Sequence, residues 1–202
     1  MLIFVRQIAD LQTQLVARWH EESIAHTSIG FLQLVSQEHA YNYLLWHEED
    51  VARSREVGEA RIAQAKRAID GYNQKRNDMI EQLDDAITQQ LVERKVETTE
   101  KASLNTETPG SVIDRLSILS LRIYHLEEQT QRPDASVEHI ESVEHKLALA
   151  LVQQDELSVS LAQLLEDIYA GRKRHRTYRQ MKMYNDPALN PYLYKARQRR
   201  AG

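Results

Sequence analysis

The chain has 202 residues, no cysteine, only 6 glycines and 4 prolines, and a formal net charge of −4. That length carries one domain with a sizeable core. The absent thiols exclude disulfides, thiolate metal sites, iron–sulfur clusters and a cysteine nucleophile. With Gly and Pro scarce, the plentiful Ala, Leu, Glu, Gln and Arg give an all-α chain.

A first helix is predicted from Leu2 to about Glu22, with Phe4, Ile8, Leu11, Leu15 and Trp19 at spacings of three and four. Its opening MLIFVRQIADLQ lacks the basic region and long apolar run of a signal peptide. No window approaches the ~20 apolar residues of a membrane span, so the chain reads as soluble and cytoplasmic. Thr27, Ser28 and Gly30 break the pattern and offer a cap for the next helix.

The second helix is expected over Phe31–Arg53. Phe31, Leu34, Val35, Tyr41, Leu44, Leu45 and Ala52 form its inner face, and Asn42 and Glu49 fall among them. It runs through a dense polar cluster, Trp46-His47-Glu48-Glu49-Asp50, before a turn around Gly58.

A third helix, about Glu59 to Arg94, carries the stripe Ile62, Ala65, Ile69, Tyr72, Ile80, Leu83, Ile87 and Leu91. Between Ile69 and Ile80 the same face holds Asn73 and Arg76, with Asn77, Asp78 and Glu81 alongside. Apolar periodicity fails there for about two turns, and such failures tend to mark functional sites.

After a loop comes the stretch Glu107–Gln129. It opens with Thr-Pro-Gly-Ser and is apolar on almost every side, the pattern of a helix buried among others. Yet it contains Asp114, Arg115, Ser117, Arg122 and His125. Charges on a buried helix are costly unless paired, so this central helix points to a polar pocket inside a bundle. A fifth helix begins after Pro133 with Asp134 or Ser136 as its cap. Its stripe runs from Val137 to Ile168 and is expected to continue past Gly171, with a kink, to about Tyr184.

Residues 172–202 hold ten Lys/Arg against one acid, Asp186, leaving −13 on the rest of the chain. The Asn-Asp-Pro and Asn-Pro turns suit a tail docked on the acidic body better than a loose nucleic-acid arm. The expected architecture is a single domain over 1–202: a bundle of about five main helices, a long C-terminal helix and a docked basic tail at 172–202.

Two constellations carry chemistry. His47 with Asp50 and His125 with Glu128 are His-x-x-acid steps, each offering an imidazole and a carboxylate to one point. Helical bundles build metal sites from such steps, in the reverse order. The competing reading is ordinary amphipathic surface in a chain with 8 His and 30 acids. In the second constellation, Asn73, Arg76, Asn77 and Asp78 meet Asp114, Arg115 and His125. Guanidinium forks suit phosphate or carboxylate, Asn adds neutral donors, and Asp or His moves protons. The competing reading is a buried network that fixes helix register. No Walker loop, dinucleotide glycine motif, G-x-S-x-G elbow or H-E-x-x-H occurs.

Leu45-Trp46-His47 with Glu49-Asp50, Ala68-Ile69-Asp70 followed by Asn73 and Arg76-Asn77-Asp78, Glu107-Thr108-Pro109-Gly110 through His125, and Tyr178-Arg179-Gln180 with Met183-Tyr184-Asn185-Asp186-Pro187 form one set. Across Gly30–Tyr194 the chain resembles a bacterial domain-of-unknown-function family, number 4254, all-helical and of about this length. The resemblance implies no activity; it implies a setting among genes for surface-polysaccharide synthesis.

The leading expectation is a pocket for a phosphorylated or anionic small molecule, such as a sugar phosphate or nucleotide sugar. Arg76 and Arg115 hold the anion, Asn73 and Asn77 orient it, and Asp78, Asp114 and His125 are acid/base candidates. Arg179, Lys182 and Tyr184 close the pocket from the tail. The alternatives are a non-enzymatic helical scaffold for a protein partner, and a divalent-metal hydrolase using His47, Asp50 and Glu128.

Overall fold

The computed structural model describes residues 1–181, 183 and 186–193, without the side chains at 2 and 3. Lys182 and Tyr184, expected to close the pocket, lie outside the described residues.

Five long helices account for most of these residues: α1 (Leu2–Glu21), α2 (Phe31–Arg53), α3 (Glu59–Glu93), α4 (Pro109–Thr130) and α5 (Val137–Tyr169). The architecture is an all-α bundle. None of the helices is long and apolar enough to cross a membrane. Local chemistry sets the boundaries. Gly30 and Gly58, at φ +59° and +77°, start α2 and α3. Thr108 accepts from Ser111 N with Pro109 in the first turn of α4, and Ser136 accepts from His139 N at the start of α5.

α2 packs along α3 and α4 along α5 as two helical hairpins, and α1 lies against α4, α5 and α2. Val5, Ile8, Val35, Leu83, Ile87, Val112, Ile113, Leu116, Leu161, Ala162 and Leu165 form the shared core. The central helix is as buried as its sequence requires: ten residues of α4, from Pro109 to Ile123, lie in the interior.

The start of α4 is pressed against α3. Gly110 N donates to Asp84 Oδ1 at 2.8 Å, and a Cβ at Gly110 would stand 2.6 Å from the Ile80 carbonyl oxygen. Only glycine permits that approach. The Asp84 carboxylate also sits where the α4 dipole favours negative charge.

α5 does not continue past Gly171. The helix ends at Tyr169, and Gly171 takes φ +69°, the left-handed conformation that closes helices. The chain then turns extended. Lys173–Arg174 (β2) pairs in parallel with Ser103–Leu104 (β1), a two-strand ladder that clasps the loop before α4 to the exit of α5. The following residues dock on α3: His175 Nε2 donates to the Asp84 carbonyl at 2.9 Å, Thr177 Oγ1 to Asp85, and Arg179 pairs with Glu81 and Asp85 at 3.0 and 2.8 Å. Residues 175–180 of the tail thus dock as an extended strap rather than a helix.

Candidate functional site

α2 places Glu38, His39 and Asn42 on its inner face, three, four and seven residues beyond the core residue Val35. All three are buried. Opposite them α4 presents Asp114 and Ser117. The Asn42 amide is the hub: Nδ2 lies 2.5 Å from Glu38 Oε1, 2.9 Å from Asp114 Oδ1 and 2.9 Å from Ser117 Oγ. Ser117 Oγ is also 2.7 Å from His39 Nδ1. From α3, Arg76 approaches the same carboxylate, with Nε 3.7 Å from Asp114 Oδ1. That is an ion pair, too long for a hydrogen bond. Arg76 Nε is buried and has no hydrogen-bond partner among the described residues.

Above this network a groove of about 360 Å³ opens between α2, α3 and α4. Asn42 and Arg76 form part of its floor, Leu45, Ile118 and Leu121 give apolar walls, and Trp46, Glu49, Asp50 and Arg53 form its rim. Its volume is in the range of small-molecule sites, and a few convergent polar groups on apolar walls are the usual make-up of such a site.

Residues 32–177 match the model of the family described as "Protein of unknown function (DUF4254)". The chain belongs to that family. No curated protein and no solved structure matches it. The matched span of this DUF4254 protein holds the whole network and groove but not α1. It ends at Thr177, short of the Tyr194 to which the resemblance was drawn.

Some of the residues expected at a pocket meet in the DUF4254 fold and others do not. Arg76 and Asp114 converge. Asp78, two residues beyond Arg76, is exposed and accepts from Gln74 Nε2 at 2.7 Å. Two residues is about 200° around a helix, which turns Asp78 away from the groove. Arg115, one residue past Asp114, is exposed and bonds both oxygens of Glu107 at 2.9 and 2.8 Å. It lines a separate groove between α4 and α5. Asn77 is buried and Asn73 half-buried on α3, and neither lines the Arg76 groove. Arg179 is occupied with the strap's ion pairs.

His47 and His125 do approach each other, but Asp50 and Glu128 are not the groups beside them at the point of convergence. That place is taken by His20 of α1. Asp50 is exposed on the groove rim, and Glu128 bonds His125 Nδ1 from outside at 2.6 Å.

Glu38 and His39 lie side by side and carry opposite proton preferences. Burial, then the neighbouring Asp114 charge, pushes the Glu38 carboxyl well above its usual range, so it holds a proton. Burial pushes His39 down from 6.5 to about 3, so it stays neutral. For Glu38 the folded chain binds the extra proton, and stability falls as pH rises above about 4.5. For His39 the unfolded chain binds it, and stability falls as pH drops from 6.5 towards 3. Between 4.5 and 6.5 the two slopes cancel for as long as folded Glu38 keeps its proton.

Glu38→Gln should therefore unmask acid lability, with up to about 1.4 kcal/mol lost per pH unit below 6.5. His39→Gln should unmask the reverse slope. Urea unfolding of wild type and both variants at several pH values across this window reads the difference, and parallel curves for all three would refute the assignment.

Proposed function

We propose that this DUF4254 protein binds a phosphorylated sugar or nucleotide sugar in the groove between α2, α3 and α4. One observation carries the reading: Arg76 lines the groove, and its buried Nε lies 3.7 Å from the Asp114 carboxylate without a hydrogen-bond partner among the described residues. Desolvated donors left unmade cost stability, and a planar fork of this kind matches a phosphate.

The rest of the lining fits the same ligand class. The Trp46 indole supplies a flat apolar surface for a sugar or base ring. Glu49 and Asp50 are carboxylates able to accept from sugar hydroxyls. Asn42 contributes a neutral amide at the floor. Asp114, ion-paired with the groove residue Arg76, is the proposed proton acceptor, with Glu38 beyond it. The polysaccharide setting implied by the resemblance and a cytoplasmic location agree with a nucleotide-sugar pool as the source.

A partner-docking scaffold draws its support from Leu149, Leu151 and Val152, exposed along α5. Scattered apolar residues of this kind are common on monomeric surfaces, and such a scaffold has no use for a buried polar floor beneath a groove.

The test is calorimetric titration of a panel of hexose phosphates and nucleotide sugars. Arg76→Met, which keeps an unbranched apolar stem and removes the guanidinium, should weaken the best binder by about 10- to 100-fold, the worth of a charged hydrogen bond. Undiminished affinity in the variant would remove Arg76 from the role, and no binder in the panel would remove the ligand class.

A further inference from the structure

Three imidazoles from three helices meet beside the groove: His20 from the last turn of α1, His47 from α2 and His125 from α4. Each ring offers one nitrogen, and these nitrogens lie within 4.8 Å of one another. The ring centroids are 5.1 Å (His20–His47), 5.1 Å (His20–His125) and 5.8 Å (His47–His125) apart.

All three Nε2 atoms are buried and lack a hydrogen-bond partner among the described residues. The other nitrogen is committed on two of the rings. His20 Nδ1 donates to the Val16 carbonyl at 2.8 Å, and His125 Nδ1 donates to Glu128 Oε2 at 2.6 Å. A proton fixed at Nδ1 leaves the Nε2 lone pair bare, and the carboxylate behind His125 is the outer partner that metal-binding histidines use to orient the ring.

The rings are also held. His20 stacks on Tyr124 at 4.2 Å, and His125 on Trp46 at 4.9 Å with 12° between planes. Tyr43 meets His20 and His47 edge-on and anchors itself by donating to the Trp19 carbonyl at 2.7 Å. Buried acceptors with nothing to accept from are rare in folded proteins and call for an explanation. Here three share one point.

We propose that His20, His47 and His125 bind one divalent transition-metal ion of the zinc class through their Nε2 atoms, with a fourth position left to water. Three neutral imidazoles with no thiolate suit zinc and its neighbours rather than magnesium or calcium, which prefer oxygen ligands. Zinc–nitrogen bonds of about 2.0–2.1 Å in tetrahedral geometry place nitrogens roughly 3.3 Å apart, so closure of no more than about 1.5 Å per pair completes the site. The inference is independent of the groove ligand. It also gives α1, outside the span matched by the family, a role: His20 is the third ligand.

Tag-free full-length chain, stripped with chelator, is titrated with Zn²⁺ by calorimetry and with Co²⁺ by visible absorption. The expected result is one equivalent bound with sub-micromolar affinity for zinc, cobalt bands of a four-coordinate site with three nitrogens and one oxygen, and a higher melting temperature with zinc. His20→Ala and His125→Ala should each weaken zinc by at least about 100-fold, and Glu128→Gln, at an exposed position that leaves folding intact, by roughly 10- to 100-fold. His145→Ala, on the exposed face of α5, should change nothing. Absence of stoichiometric binding by natively folded chain overturns the proposal, as does wild-type zinc affinity in His20→Ala or in Glu128→Gln.

Discussion

Asn42→Leu should cost about 3 kcal/mol or more, the upper end for leaving buried acceptors, one of them charged, without their donor. Leucine keeps the branched shape of asparagine but is larger, so overpacking adds to the loss. The substitution takes away the amide that contacts Glu38, Asp114 and Ser117 together. Without it, the Asp114 carboxylate keeps the Glu38 carboxyl and a guanidinium nitrogen 3.7 Å away as its neighbours but loses the amide donor. Urea denaturation at neutral pH reads the effect. A loss below about 1 kcal/mol, the worth of one ordinary hydrogen bond, would mean that the network is not the unit described. Because Asn42 also forms part of the groove floor, the same variant should lose the groove ligand, while Arg76→Met should lose the ligand with far less harm to the fold.

Gly171→Ala should be comparably damaging for a different reason. Its φ of +69° disfavours any residue with a Cβ, and the added carbon would lie 2.1 Å from the Glu97 carbonyl oxygen. That neighbour is backbone and cannot swing aside. Conformational strain and overpacking at about 1–3 kcal/mol each sum to roughly 4 kcal/mol. At 2–4 °C per kcal/mol for a chain of this size, the melting temperature should fall by roughly 8–16 °C. Gly71→Ala is the control. Gly71 sits within α3 with open space around its Cβ position, and alanine there should gain about 0.5–1 kcal/mol through helix propensity. Similar melting temperatures for the two variants would rule out the clash.

The helices were readable because their ends carry local chemistry. Gly30, Gly58, Thr108 with Pro109, and Ser136 each mark a start that depends on a few adjacent residues. The end of α5 was not, because two things stop it: a left-handed Gly171, and a clasp to a segment 70 residues away. Neither leaves a trace in periodicity.

The proximity of Arg76 and Asp114 was legible where polarity interrupts an apolar stripe. The same reasoning overreached to Asp78 and Arg115, since sequence neighbours of a buried polar residue lie 100° or 200° around the helix. Glu38 and His39 were missed although they sit at the core spacing from Val35; a strict inner-face register on α2 would have picked them out. His20 had no such signal. Its neighbour Trp19 occupies the stripe, and nothing in one sequence says that α1 brings its last turn to meet α2 and α4.

The β1–β2 clasp has a consequence for how the molecule assembles and frays. It joins backbone on either side of the α4–α5 hairpin, and closing so long a loop is entropically unfavourable while the chain is open. Once the hairpin has zipped, its ends are already neighbours and the ladder closes at little further expense. The strap that follows, from His175 to Gln180, can settle only after α3 is in place to receive it. Its exposed ion pairs on Glu81 and Asp85 add little holding power. The last piece to arrive is thus also the first to lift, and the helices beneath it keep their order when it does.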